Sequence, residues 1–105
     1  MGQLDDLQLL LRDFAERRDW GHFHTPKNLA MAVAGEAGEL LAEFQWLTPE
    51  ESKSLNADRR HAVTDEIADV AIYLLRLADV MDIDVDAAIR GKVARNESRF
   101  PNATN

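Results

Sequence analysis

The sequence has 105 residues, no cysteine, 12 Lys plus Arg against 19 Asp plus Glu, and a formal net charge of −7. That length fits one domain, residues 1–105, and a composition 46% hydrophobic and 30% charged excludes an intrinsically disordered chain. Disulfides, thiolate nucleophiles and zinc–thiolate sites are excluded outright, and the acidic balance works against a broad grip on nucleic acid or anionic lipid, leaving cations as natural partners.

Asp5, Asp6 and Arg12 interrupt the uncharged stretch a signal peptide needs, and Asp6 breaks the myristoylation pattern. With no apolar run of membrane-spanning length, the expectation is a cytoplasmic protein with no membrane partner. Leu4, Leu7, Leu11 and Phe14 recur every three or four residues, which predicts a first amphipathic helix ending near Arg18. Asp19 to Pro26 reads as a connector. Thr25 as N-cap and Pro26 at the first helical position open a second helix expected to reach about Trp46. Thr48-Pro49-Glu50-Glu51 looks like a short helical start inside a loop running to about Ala57. A third long helix follows from about Asp58 to Met81. Asp84 or Asp86 can cap a fourth that reaches Arg99 before Pro101 stops it, leaving a frayed tail at Asn102–Asn105. No run alternates with period two, so the predicted fold class is all-α, a four-helix bundle-like single domain.

At about 100° per residue, Glu66 falls within roughly 40° of Val70, Tyr73 and Leu77, in the middle of an apolar face, with Asp69 at its edge. Glu36 likewise lies within about 20° of the Leu29 to Leu40 stripe, flanked by Glu39 and Glu43. Two helices therefore each offer a Glu-x-x-acid pair to a shared interface. Ordinary solvated charge accounts for Glu50, Glu51 and Glu97 but poorly for Glu66, because an unpaired buried carboxylate is costly. An ion pair with Lys92, Arg95 or Arg99 would satisfy one acid, whereas four converging acids need a concentrated positive charge. All-oxygen ligation, with no Cys and no His at i+3, points to Mg²⁺, with Mn²⁺ as a substitute.

On the last helix Lys92, Asn96 and Arg99 share one face at i, i+4 and i+7, with Arg95 alongside. Alone this is a solvated cationic face at a helix C-terminus; beside a Mg²⁺ site it is a candidate phosphate-binding set. Core filling is the default for the aromatic residues, but Trp20 in a connector and Trp46 at a helix end suit a rim on which a flat base stacks, near Tyr73. His22, His24 and His61 read as polar or connector residues. His24 can also orient the loop or a ligand, and with His22 and Asn28 it supplies the nearest polar candidates for base or sugar contacts. From Val70 to Met81 the long helix is apolar nearly all round, with Ile72 and Leu75 pointing away from the Val70, Leu74 and Leu77 face, which predicts a homo-oligomer.

Gly35-Glu36-Ala37-Gly38-Glu39 followed by Glu66-Ile67-Ala68-Asp69 resembles the Glu-x-x-Glu and Glu-x-x-Asp signature of the all-α nucleoside triphosphate pyrophosphohydrolases, the MazG-like superfamily, and most nearly its short dCTP pyrophosphatase branch. The segment Asp19 to Leu29, the Phe44-Gln45-Trp46 end and Lys92 to Pro101 are similar to that branch too, so the resemblance spans about residues 4 to 101. It implies hydrolysis of a (deoxy)nucleoside triphosphate, dCTP or a modified dCTP, to monophosphate and pyrophosphate, as nucleotide-pool house-cleaning. Glu36, Glu39, Glu66 and Asp69 are then Mg²⁺ ligands, with Glu39 the favoured water-activating base. Lys92 and Asn96 meet the phosphates, and Trp20, Trp46 and Tyr73 border the base. The rival readings are a phosphoribosyl-ATP pyrophosphohydrolase-like enzyme, which the Trp20 and Trp46 segments disfavour, and a non-catalytic, metal-stabilised helical dimerisation module.

Overall fold

The computed structural model describes residues 2–100, 102 and 103, and among these it contains helices and no strand. Helix α1 spans Gln3–Arg17, a 3₁₀ turn covers Gly21–Phe23, α2 spans Pro26–Ala42, α3 Pro49–Ser52, α4 Ala57–Val80 and α5 Val85–Arg99. The all-α expectation stands, with five helices in place of four. The extra element is one turn at Pro49–Ser52, closed by a capping box in which Thr48 Oγ1 accepts from the Glu51 N–H at 3.1 Å and Glu51 Oε1 from the Thr48 N–H at 2.8 Å.

Helix starts follow side-chain chemistry. Thr25 Oγ1 accepts from the Asn28 N–H at 3.2 Å, with Pro26 at N1; Asn56 Oδ1 takes the Arg59 N–H at 2.8 Å; Asp84 Oδ1 takes the Ala87 N–H at 3.0 Å. Asp84 is thus the cap of α5, while Asp86 pairs with Arg90 at 3.0 Å. The ends of α1 and α4 share one device. Asp19 (φ 54°) and Asp82 (φ 56°) sit in the left-handed region, and the next amides, of Trp20 and Ile83, return to the Ala15 and Ala78 carbonyls at 3.0 and 2.8 Å.

Helix α2 is shorter than its pattern predicts, giving way to turns at residues 43–46. Arg59 of α4 donates from Nη1 to the Glu43 carbonyl at 2.6 Å, a contact that fixes this turn from across the fold. At the other end α5 stops at Arg99. Pro101, Thr104 and Asn105 of the expected stop and tail lie outside the described residues, and Asn102 and Ala103 carry no regular structure.

Packing is dominated by α2 against α4, with α1 against α4 second, so α4 is the central element. Among the described residues the fully buried apolar ones are few: Ala15, Leu29, Val63 and Ala78. The Cα radius of gyration is 16.9 Å, against about 13 Å for a compact domain of this length, and the extents are 49 × 39 × 25 Å. Among the described residues no helix is long and apolar enough to cross a membrane.

Candidate active site

The α2–α4 interface brings together the acids that the helical wheel placed on apolar faces. Carboxylate oxygens of Glu36, Glu39 and Glu66 all lie within 4.8 Å of one another. Glu36 and Glu66 are half-buried and Glu39 is exposed. Glu36 Oε2 and Glu66 Oε2 are both buried without a hydrogen-bond partner. Buried carboxylate oxygens are normally satisfied, so two orphans in one acidic cluster mark a candidate ligand site.

Burial pushes the Glu36 and Glu66 carboxyls above the usual range, and the charges of Glu39 and Asp69 push them further. The charges that act most strongly on them are all negative: Glu39, Asp69 and Glu66 on Glu36, and Glu39, Asp69 and Glu43 on Glu66. Among the described residues neither Glu36 nor Glu66 forms an ion pair, so the alternative of a buried pair with Lys92, Arg95 or Arg99 has no counterpart there. Glu43 has its own partner in Arg59, 3.9 Å away. The donor set is all carboxylate oxygen, unpaired and mutually repelling, which fits a hard divalent cation.

Asp69 lies outside the tight trio and lines an adjoining cavity of about 420 Å³. The cavity forms between α1, the connector and α4, with Phe14, Trp20, Phe23, Ile72 and Tyr73 as apolar walls and His24 and Arg76 as further polar groups. The walls brace one another: the Phe14 and Trp20 rings meet edge to face at 5.6 Å, and Trp20 lies 6.2 Å from the His24 ring. Asn28 Nδ2 donates to the Phe23 carbonyl at 3.0 Å and so ties the connector to the first turn of α2.

Of the residues singled out in the sequence, the structure thus gathers Glu36, Glu39 and Glu66 into one cluster, and places Asp69, Trp20, Tyr73 and His24 around one cavity. Asn28 buttresses that cavity without lining it. Trp46 is 87% exposed in the turn after α2 and lines no part of it. Lys92, Asn96 and Arg99 sit on the sparsely packed α5 and line neither region; the Arg99 guanidinium lies 5.1 Å from the Phe100 ring. Sequence reasoning missed Arg76, 6% exposed and on the cavity wall. Arg76 follows Tyr73 by three residues and Asp69 by seven, so its side of the helix was readable from the sequence, but its burial was not.

Fold and site define an all-α protein with paired acidic motifs on two packed helices, opening beside an aromatic cavity. The sequence model of the MazG-like family matches residues 32–105, and the chain belongs to that family. It is similar to a pyrophosphatase of Archaeoglobus fulgidus of known crystal structure, with TM-score 0.90 and 40% identity, covering 97% of this chain and 95% of that one. It is also 40% identical over 100 residues to human dCTP pyrophosphatase 1 and 39% identical to the rat protein of the same name. Those matches cover 93% of this chain, which spans 59% of the length of these curated relatives.

Proposed function

We propose that the protein is a nucleoside triphosphate pyrophosphohydrolase that converts a deoxynucleoside triphosphate, dCTP or a C5-modified dCTP, to monophosphate and pyrophosphate. The observation that carries this is the pair of orphaned buried carboxylate oxygens next to an aromatic cavity, with Asp69 between the two regions. A triphosphate needs countercharge and a base needs stacking surface, and the two requirements meet here. The names of the relatives, dCTP pyrophosphatase 1 and a pyrophosphatase, support the reaction class and the base. A house-cleaning role in the nucleotide pool implies the cytoplasm.

Glu36, Glu39, Glu66 and Asp69 would hold Mg²⁺, or Mn²⁺ in its place. When bound, such an ion supplies Lewis acidity and countercharge to the polyphosphate. Glu39, the exposed member of the trio, would orient water and accept its proton. Trp20 and Tyr73 hold the base, in stacking contacts worth about 1–3 kcal/mol, while His24 and Asn28 fix the connector against it. Lys92, Asn96 and Arg99 provide directional donors for the phosphates. In this reading a second copy of the chain covers the exposed apolar faces and brings α5 and the outlying Trp46 to a complete site.

Incubation with a panel of nucleotides and Mg²⁺, with both products identified by mass spectrometry, tests the reaction. Monophosphate and pyrophosphate in equal amounts from dCTP are expected. Diphosphate plus orthophosphate would overturn the assignment, and equal rates on dCTP and CTP would remove the deoxyribose preference alone. Turnover confined to phosphoribosyl-ATP would favour the related enzyme instead. Activity should vanish in EDTA, and Mg²⁺ should raise the melting temperature by relieving repulsion among the acids.

A further inference from the structure

Arg76 is the only charged residue fully buried among the described residues, and it stands on the wall of the aromatic cavity. Its Nε donates to His24 Nδ1 at 3.3 Å and its Nη1 to Asp79 Oδ2 at 3.1 Å. Asp79 is itself gripped from α1 by Arg12, whose Nε reaches Oδ2 at 2.9 Å and whose Nη2 reaches Oδ1 at 2.6 Å. One carboxylate therefore serves two guanidinium groups. Arg12 alone suffices to neutralise Asp79, so Arg76 brings net positive charge into a buried place where the Asp79 pair does not require it. Nη2 of Arg76 makes no hydrogen bond among the described residues. A guanidinium offers only donors, arranged as a rigid fork, and its position here is locked by His24 on one side and Asp79 on the other.

We propose that Arg76 is a specificity-determining residue that donates to adjacent acceptors on the edge of the base, the O2 and N3 of cytosine. The inference rests on the reading that the cavity receives the base of the substrate. Among pyrimidines cytosine alone presents two neighbouring acceptors on that edge; uracil and thymine carry N3–H, which would meet Arg76 donor to donor. Stacking on Trp20 and Tyr73 tolerates any base, so this fork supplies the selectivity that the aromatic walls lack. His24 is a positioning residue: accepting through Nδ1, it holds Arg76 in the cavity wall.

The test is a thermodynamic cycle between protein and ligand. Calorimetric titration in Mg²⁺ compares dCMP, dUMP and the 3-deaza analogue of dCMP, in which N3 is replaced by C–H, on the wild type and on Arg76→Lys. The lysine keeps a charge for Asp79 and loses the fork. The wild type should bind dCMP roughly ten-fold or more tightly than either other nucleotide, and the variant should reduce both gaps to about two-fold or less. Retention of both gaps in a folded Arg76→Lys, shown by an unchanged far-ultraviolet circular dichroism spectrum, would overturn the proposal. If that variant fails to fold, the wild type decides alone: equal affinity for dCMP and its 3-deaza analogue overturns the proposal, and a ten-fold gap supports it. Turnover of dCTP without cytosine preference would sink the role of Arg76 and leave the hydrolase reading intact. Cytosine-selective binding without turnover would do the reverse.

Discussion

Glu66 shows how one residue can be expensive for the fold and useful to the site. Its half-burial beside Glu36, Glu39 and Asp69 raises its carboxyl above the ordinary value of 4.5, burial acting first and the acids second. A carboxyl whose pKa is higher in the folded state stabilises the fold fully below the unfolded value, and loses that contribution as pH rises through the folded one. Glu36 behaves alike, so the two glutamates favour the metal-free fold most at and below about pH 4.5 and lose that contribution as pH rises through their folded values. His24 acts in the opposite sense: burial, then the charge of Arg76, holds it below 6.5, so its contribution is present above that pH and lost as pH falls through its folded value. Asp79, held below 3.8 mainly by its hydrogen bond to Arg12, loses its contribution only in stronger acid. Melting curves in EDTA should therefore show the acid-side gain shrinking in a Glu36→Gln, Glu66→Gln double variant, and a difference between the two proteins that does not depend on pH would refute the coupling. Glu66→Gln or Asp69→Asn alone should abolish turnover while the metal-free fold survives or gains stability; unfolding of both would make the acids structural partners. Asp79→Ala is expected to cost about 3 kcal/mol in urea unfolding, because it strands the buried Arg76.

At the scale of elements, α4 carries the molecule: Glu66, Asp69, Tyr73, Arg76 and Asp79 all stand on it, and α1 and α2 pack on its sides. Much of this was legible, because a 3.6-residue period and N-caps such as Thr25 and Asn56 are local signals, and a glutamate on an apolar stripe announces itself. The end of α2 was not. No Gly or Pro stands between Ala42 and Thr48, and the turn is fixed by Arg59 reaching the Glu43 carbonyl from 16 residues away, which no local pattern reveals. Arg76 escaped notice for a related reason: Asp79 lies at i+3, so sequence alone reads the two as a surface pair, and only the arrival of Arg12 and His24 from other elements shows that it is buried. Helix α2 offers its own test at Gly35, where an added Cβ would meet nothing within 4 Å. Gly35→Ala should stabilise the protein by about 0.5–1 kcal/mol in denaturant unfolding, as the helix-propensity difference dictates. Destabilisation instead would show that another chain covers this face of α2.

Considered whole, the protomer exposes more apolar surface than a self-sufficient domain of 105 residues should. Leu10 is 59% exposed, Leu41 62%, Met31 61% and Ile89 55%, while among the described residues four small or medium apolar ones make up the fully buried core. An apolar groove lined by Leu74, Leu77, Met81, Ile83, Val85 and Ile89 runs where α5 leaves α4, and α5 is sparsely packed against the rest of the chain. Water-facing apolar area costs about 25 cal/mol per Å² relative to burial, and patches of this kind mark contact surfaces. A second copy of the chain fits the requirement best in our reading, because it would bury α5 and carry Lys92, Asn96 and Arg99, with the outlying Trp46, toward the acid cluster and its cavity. The expected outcome is a dimer or tetramer by light scattering at micromolar concentration. Ile89→Glu, which places a charge in the groove and replaces no candidate site residue, should shift that population toward monomer and lower the melting temperature and the activity together. Mixing inactive Glu66→Gln with inactive Lys92→Ala protein then separates a shared site from a merely stabilised one. If the acids of one chain work with the cationic face of another, the mixture regains activity in roughly the share of sites that draw both intact halves from different chains. No recovery, with mixed assemblies shown to form, would mean that each chain completes its own site.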